Sequence, residues 1–266
     1  MIIYGINPVL EALRARRVTA LRVSPRADNR VRQIEQLAAE QGVIVRRVSA
    51  AEVERAAGGP ASRHQGVVAE VGDAAGPGGP GVIDLEDLIA GATGAPLVVV
   101  LDGIEDPHNL GAILRTVDAA GADGIVRQSR HAAPLGGAAA KASAGAVAHV
   151  RVAEVVNIAR SLEALKEAGI WTVGLAGDGP TRYDQIDYTL PTALVVGSEG
   201  TGLRRLVRER CDWVVSIPMG GHVQSLNVSV AAAVVLFEAV RQRRNKAAGS
   251  TIQPSRPART DPQTKD

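Results

Sequence analysis

The hydrophobic pattern of this chain has two grains. Up to Val71 the apolar runs are short, and helical and strand spacing alternate. PVLEALRARR predicts a helix opened by an Asn7 cap, with Pro8 at its first position. ALRVS at 20–24 predicts a strand, DNRVRQIEQLAAEQG a helix closed at Gly42, and VIVRRV a second strand. SAAEVERAA reads as a short helix with a capping box between Ser49 and Glu52, and GVVAEV at 66–71 as the closing strand.

From Leu97 the runs lengthen. PLVVVLDGI, GIVRQ, WTVGLAG, TALVVGSEG and WVVSIPM are strand candidates, several of them continuously apolar; the helical patterns are NLGAILRTVDAAG, NIARSLEALKEAG, LRRLVRERC and a helix from Asn227. Strands apolar on both faces and separated by helices are what a parallel sheet covered on two sides requires. The predicted fold class is α/β, with a parallel-sheet domain at 97–246 behind a small N-terminal α/β domain at 1–72. Between them, 73–96 carries DAAGPGGPG and GATGAP around one acidic helical candidate, VIDLEDLIA, and reads as a linker. Residues 247–266 are polar and Pro-rich without an apolar period, which predicts a disordered basic tail.

Composition narrows the function classes. A 266-residue chain that is 45% hydrophobic has ample material for a core. No window approaches the roughly 18 apolar residues of a membrane helix, and the N-terminus lacks the order of a secretory signal, so a cytoplasmic location is expected. One cysteine, Cys211, and scattered histidines predict neither a disulfide framework nor a metal site. The net charge of +2 is unevenly spread: residues 1–72 carry 11 basic against 7 acidic side chains and 242–266 carry 6 against 2, whereas 97–241 carry 13 against 15. Basic ends suit a polyanionic partner. Aromatics make up only 2% of the chain, which argues against a base-stacking sheet.

In an open parallel sheet, ligands sit where loops leave the carboxyl ends of strands. Three loops qualify. DGIEDPHNLGAILRT sets Asn109 and Arg115 across the start of a helix that is otherwise apolar, where a buried arginine would need a partner. VVGSEGTGLRRL has glycines at 197, 200 and 202 that let the backbone approach a ligand, but Glu199 among them disfavours a phosphate and suits a hydroxyl, an amine or an arginine. SIPMGGHVQSLNVS gathers Gln224, Ser225, Asn227 and Ser229 at the mouth of the last helix, more polar groups than one N-cap uses.

NLGAILRTVDAAGADGI, VVGSEGTGL and IPMGGHVQSLNVSVAAAVVLFEA, in this order, resemble the three motifs of the SpoU/TrmH family of RNA ribose 2'-O-methyltransferases, in the SPOUT class. YGINPVLEAL and RHQGVVAEV resemble the small substrate-binding domain, similar to a ribosomal protein fold, of its 23S rRNA guanosine branch. The resemblance implies a C-terminal domain with a deep trefoil knot, working as a homodimer on 23S rRNA or a pre-ribosomal particle, with S-adenosyl-L-methionine as cofactor and no metal. It implies that Gly197, Gly200, Ile217, Met219 and Leu226 hold the cofactor, with Leu226 facing the adenine. Its catalytic group falls on Asn109, Arg115, Glu199, Ser225 and Asn227. Because a guanidinium stays charged, Arg115 is expected to bind the phosphate beside the target and lower the pKa of the 2'-hydroxyl, rather than to accept its proton. Ser229 is left to capping or backbone bonding. RNA contacts are implied for Arg63, His64, Gln65 and Lys141, with Ser143 and Gly145 in the same region. Gly136-Gly137, where relatives commonly carry a polar residue, is expected to loosen the helix it begins. The alternatives are the same chemistry on tRNA or on an rRNA adenosine, and a non-catalytic assembly factor that kept the fold.

Overall fold

The computed structural model describes residues 1–25, 29–60, 62–72 and 81–249. The centre of the expected linker, 73–80, and the expected tail from residue 250 lie outside them.

The N-terminal unit runs β1 (Ile2–Tyr4), α1 (Ile6–Arg14), β2 (Val18–Val23), α2 (Asn29–Glu40), β3 (Ile44–Arg47), α3 (Ala50–Ala56) and β4 (Val67–Val71). Its sheet has the order β1-β4-β2-β3, with β4 antiparallel to both neighbours and β2 parallel to β3. Helix α1 turns Val9, Ala12 and Leu13 into the core. The capping box on α3 is present, Ser49 N–H donating to Glu52 at 2.9 Å and Glu52 N–H to Ser49 Oγ at 3.3 Å.

The Asn7 cap is not formed. Helix α1 starts at Ile6 after Gly5, whose φ of 93° suits glycine. Asn7 lies inside the first turn, where its Oδ1 accepts from Arg30. The Ile6 N–H donates instead to Gln65 Oε1 at 3.1 Å, so a residue 59 positions away does the work expected of the local side chain.

The second unit continues with β5 (Gly81–Ile83), α4 (Leu85–Ala90), β6 (Leu97–Asp102), α5 (Pro107–Ala120), β7 (Gly124–Gln128), α6 (Gly137–Ala142), β8 (Arg151–Val155) and α7 (Ile158–Glu167). Then come β9 (Trp171–Leu175), β10 (Thr181–Arg182), β11 (Thr192–Gly197), α8 (Arg205–Arg210), β12 (Trp213–Ser216) and α9 (Val228–Ala247). The strands form one sheet in the order β10-β12-β9-β11-β6-β7-β8-β5, every pairing parallel. Central strands β6 and β11 are buried at every position, as their unbroken apolar runs require. Residues 81–90, expected within a linker, belong to this sheet: β5 pairs with β8, and Leu85 and Leu88 of α4 are buried against it.

The two units dock through the segment around α6. Gly136 sits so close to β1 that a Cβ there would lie 2.5 Å from the Ile2 carbonyl oxygen, and one at Gly145 would lie 2.7 Å from the Glu11 side chain. Buried Arg17 crosses the seam, donating to the carbonyls of Val147 at 3.1 Å and Gly72 at 3.2 Å. A guanidinium is tolerated there because backbone oxygens replace its water. The Gly136-Gly137 pair is therefore a seat for the first strand rather than a loosened helix start. Ser143 is likewise internal, its hydroxyl donating to the Ala140 carbonyl at 2.8 Å.

Candidate active site

Strands β6 and β11 pair so that Asp102 stands opposite Gly197 at their carboxyl ends. From β6 the chain runs through β7 and β8 on one side and then crosses to β9 on the other side of the pair, which makes it a switch point where loops diverge and leave a crevice.

Three side chains from three loops meet there. Asn109 is in the first turn of α5, whose cap is Asp106, accepting from the His108 N–H at 2.9 Å. Buried Asn109 donates through Nδ2 to Glu199 Oε2 at 3.0 Å. Its Oδ1 accepts from Asn227 Nδ2 at 2.9 Å, and the same Asn227 nitrogen lies 3.4 Å from Glu199 Oε1. Asn227 is also the N-cap of α9, its Oδ1 accepting from the Ser229 N–H at 2.9 Å and the Ser229 hydroxyl at 2.6 Å. Ser229 thus fixes the amide's orientation, so that the Asn227 donors face Asn109 and Glu199.

The loop carrying Glu199 is held from below. A Cβ on Gly197 would lie 2.1 Å from the Gly202 carbonyl carbon, so glycine alone lets residues 198–202 fold back over the strand end. Gly200 and Gly202 take φ of 87° and 66° within that turn. Asp102, its side chain fully buried, accepts from the backbone N–H of Arg204 at 2.8 Å and from Arg204 Nε at 2.7 Å. Nothing in the sequence marked Asp102 or Arg204; the only signal was an aspartate ending an otherwise apolar strand.

Beside this cluster opens a cavity of about 500 Å³. Gly197, Gly200, Ile217, Met219 and Leu226 line it, and so do Glu199, Ser225 and Asn227. It therefore has an apolar wall from 217 and 226 and a polar rim at the three-residue cluster. Gln224, one of the polar group at the mouth of the last helix, completes it together with Leu175 at the end of β9 and Ala176 and Gly177 after it; only the last three were not expected from the sequence.

Arg115 is elsewhere. The buried stripe of α5 runs through Leu110, Ile113, Leu114 and Val117; residue 115 falls off it and is exposed, with no hydrogen bond or ion pair among the described residues. The expected need for a buried partner does not arise. The four RNA-binding candidates do come together: Lys141 Nζ donates to the Arg63 carbonyl at 3.3 Å, and His64 Nδ1 accepts from the Gly66 N–H at 3.0 Å in the turn where Gln65 caps α1. Among the described residues, no group of three or more His, Cys, Asp and Glu is arranged to hold a metal ion.

The fold matches solved SpoU methyltransferases. AviRb from Streptomyces viridochromogenes, in complex with the cofactor AdoMet, aligns with a TM-score of 0.75 at 28% identity, covering 92% of this chain and 90% of that one. The sequence profile described as the SpoU rRNA methylase family matches residues 96–237, and that described as RNA 2'-O ribose methyltransferase substrate binding matches 2–75. The chain belongs to the SpoU rRNA methylase family. Its similar relatives include the 23S rRNA (guanosine-2'-O-)-methyltransferase RlmB of a Burkholderia species, 45% identical over 91% of this chain and 96% of that protein. The RlmB of Pseudomonas syringae pv. tomato is 43% identical over 92% and 96%.

Proposed function

We propose that this protein transfers a methyl group from S-adenosyl-L-methionine to the ribose 2'-hydroxyl of a guanosine in 23S rRNA, free or within a pre-ribosomal particle, in the cytoplasm. The observation that carries this reading is the Asn109–Glu199–Asn227 cluster at the rim of the 500 Å³ cavity, in a chain whose relatives are named for that reaction.

The cavity fits the cofactor. Its volume is in the range of sites for ligands of that size. Ile217 and Leu226 supply an apolar wall for the adenine, and the bare backbone at Gly200 allows close approach. When bound, the cofactor supplies a methyl group on a sulfonium, activated for in-line displacement. The chain's own task is to hold the 2'-hydroxyl. Glu199 offers a carboxylate acceptor whose position is set by Asn109 and Asn227, and Ser225 stands at the same rim. Arg115 lies about 9 Å along α5 from Asn109 by helix rise, with its guanidinium open to solvent; we assign it the phosphate beside the target.

The substrate-binding domain is taken as 1–72, and the RNA path to include the adjacent Arg63, His64 and Lys141. The methyltransferase domain, 97–246, is read as the knotted one, a reading supported by the crowding of residues 198–202 and 217–227 around one cavity. Exposed Val230 and Phe237, seven residues apart on α9, support a homodimer through this domain. Arg115→Ala should abolish methyl transfer to rRNA while leaving cofactor affinity by calorimetry within about two-fold. Wild-type turnover by this variant would remove Arg115 from the mechanism.

A further inference from the structure

We propose that a second cavity, on the other side of Glu199, receives the target guanine and reads its Watson–Crick edge with Glu105 and its Hoogsteen edge with Arg204. This rests on the guanosine 2'-O-methylation proposed above. The cavity has a volume of about 430 Å³ and shares Ser198 and Glu199 with the cofactor cavity, so Glu199, the carboxylate assigned to the hydroxyl, stands in the wall between the two. A ribose presenting its 2'-hydroxyl to that wall from the side away from the cofactor carries its base into this second space.

The groups there are set for one base. Arg204 enters with its guanidinium fixed by the fully buried Asp102 yet with half of its side chain still exposed. Glu105 is exposed and makes no hydrogen bond or ion pair among the described residues, whereas Asp106 beside it is spent on the His108 N–H. The cavity thus holds an anchored multiple donor and an available carboxylate. Guanine alone presents two adjacent donors, N1–H and the N2 amine, next to an acceptor, O6. A carboxylate takes both donors in a bidentate pair, and an arginine takes O6 and N7. Adenine would bring an unprotonated N1, and a pyrimidine its O2 carbonyl, against the Glu105 carboxylate. Asp102 is a positioning residue in this scheme, acting only through Arg204.

The test is single-turnover methylation, at saturating cofactor, of an rRNA fragment carrying guanosine, inosine or adenosine at the mapped target. Wild type should prefer guanosine to inosine, which lacks the N2 amine, and reject adenosine. Glu105→Gln should slow guanosine methylation about 5- to 150-fold and narrow the guanosine-to-inosine ratio, with cofactor affinity unchanged. Asp102→Asn should reproduce the defect of Arg204→Lys, and the double variant should be no worse than either. Methylation indifferent to base in the wild type, or an unchanged rate and ratio in Glu105→Gln, overturns the base cavity while leaving the activity standing. A wild type that binds cofactor but methylates no guanosine ribose overturns the activity and this inference together.

Discussion

At Asn227 a helix cap and a member of the Asn109–Glu199 cluster are the same side chain, and its neighbour Ser229 decides which way the amide faces. Ser229→Ala should therefore lower kcat for methyl transfer only about three-fold, with little change in cofactor affinity, because the backbone N–H of residue 229 still holds Asn227 Oδ1 and keeps the amide turned while one of its two bonds is lost. Asn227→Ala should in addition cost about 1 kcal/mol of stability in denaturant melts, through loss of the cap. Cys211 carries a pH prediction. Burial pushes its thiol up to about 12, and Sγ donates to the Val207 carbonyl at 3.3 Å. Alkylation at pH 8 should be slow until the protein unfolds. Below about pH 8.5, the ordinary thiol value, the group contributes nothing to pH dependence; above it only the unfolded chain ionises, so stability should fall as pH rises toward 12. Glu199, Asn109 and Asn227 were legible in the sequence because polar side chains stood in glycine turns and at helix starts where packing does not need them. Asp102 and Arg204 were not, because the burial of a strand-end aspartate depends on a partner 102 residues away. Arg115 misled for the opposite reason: an apolar helix need not bury its off-stripe positions.

Among the elements, β6 and β11 were readable as strands because four or five consecutive apolar residues mean burial on both faces. Strands β1 and β5 are three residues each and show no period of their own; they exist because distant strands offer hydrogen-bond edges. The helix expected in VIDLEDLIA is present as α4, but its segment read as a linker for a related reason, since Leu85 and Leu88 give only one buried turn until β8 is placed beside them. The tightest element junction is the turn after β11. Gly197→Ala should destabilise by about 1–3 kcal/mol, as overpacking does, and should weaken cofactor binding more than any single lining substitution at 217 or 226. Thermal melting with and without S-adenosyl-L-methionine checks it; a variant that melts and binds as the wild type would mean the 198–202 loop can move aside.

On the scale of the whole molecule, composition and grain divided the chain into two units, but nothing in either half announced the seam between them. That seam is built from the absence of side chains at Gly136 and Gly145 and from one buried arginine, features that acquire meaning only when β1 and α1 are set against α6. Gly145→Val should spring the units apart, detectable as faster proteolysis after Gly72 and as weaker rRNA binding with unchanged cofactor affinity. Equal RNA affinity would mean that the two units bind RNA independently of their docking. Basic residues in the N-terminal unit and an exposed Arg115 on the catalytic one lead to a further expectation, that affinity for rRNA falls steeply as salt rises. Ribose-methylation mapping of 23S rRNA from cells with and without this protein reads out the reaction itself. One guanosine 2'-O-methyl mark should vanish on deletion, return with the wild-type gene and fail to return with Arg115→Ala; an unchanged map of 23S rRNA would contradict the function proposed here.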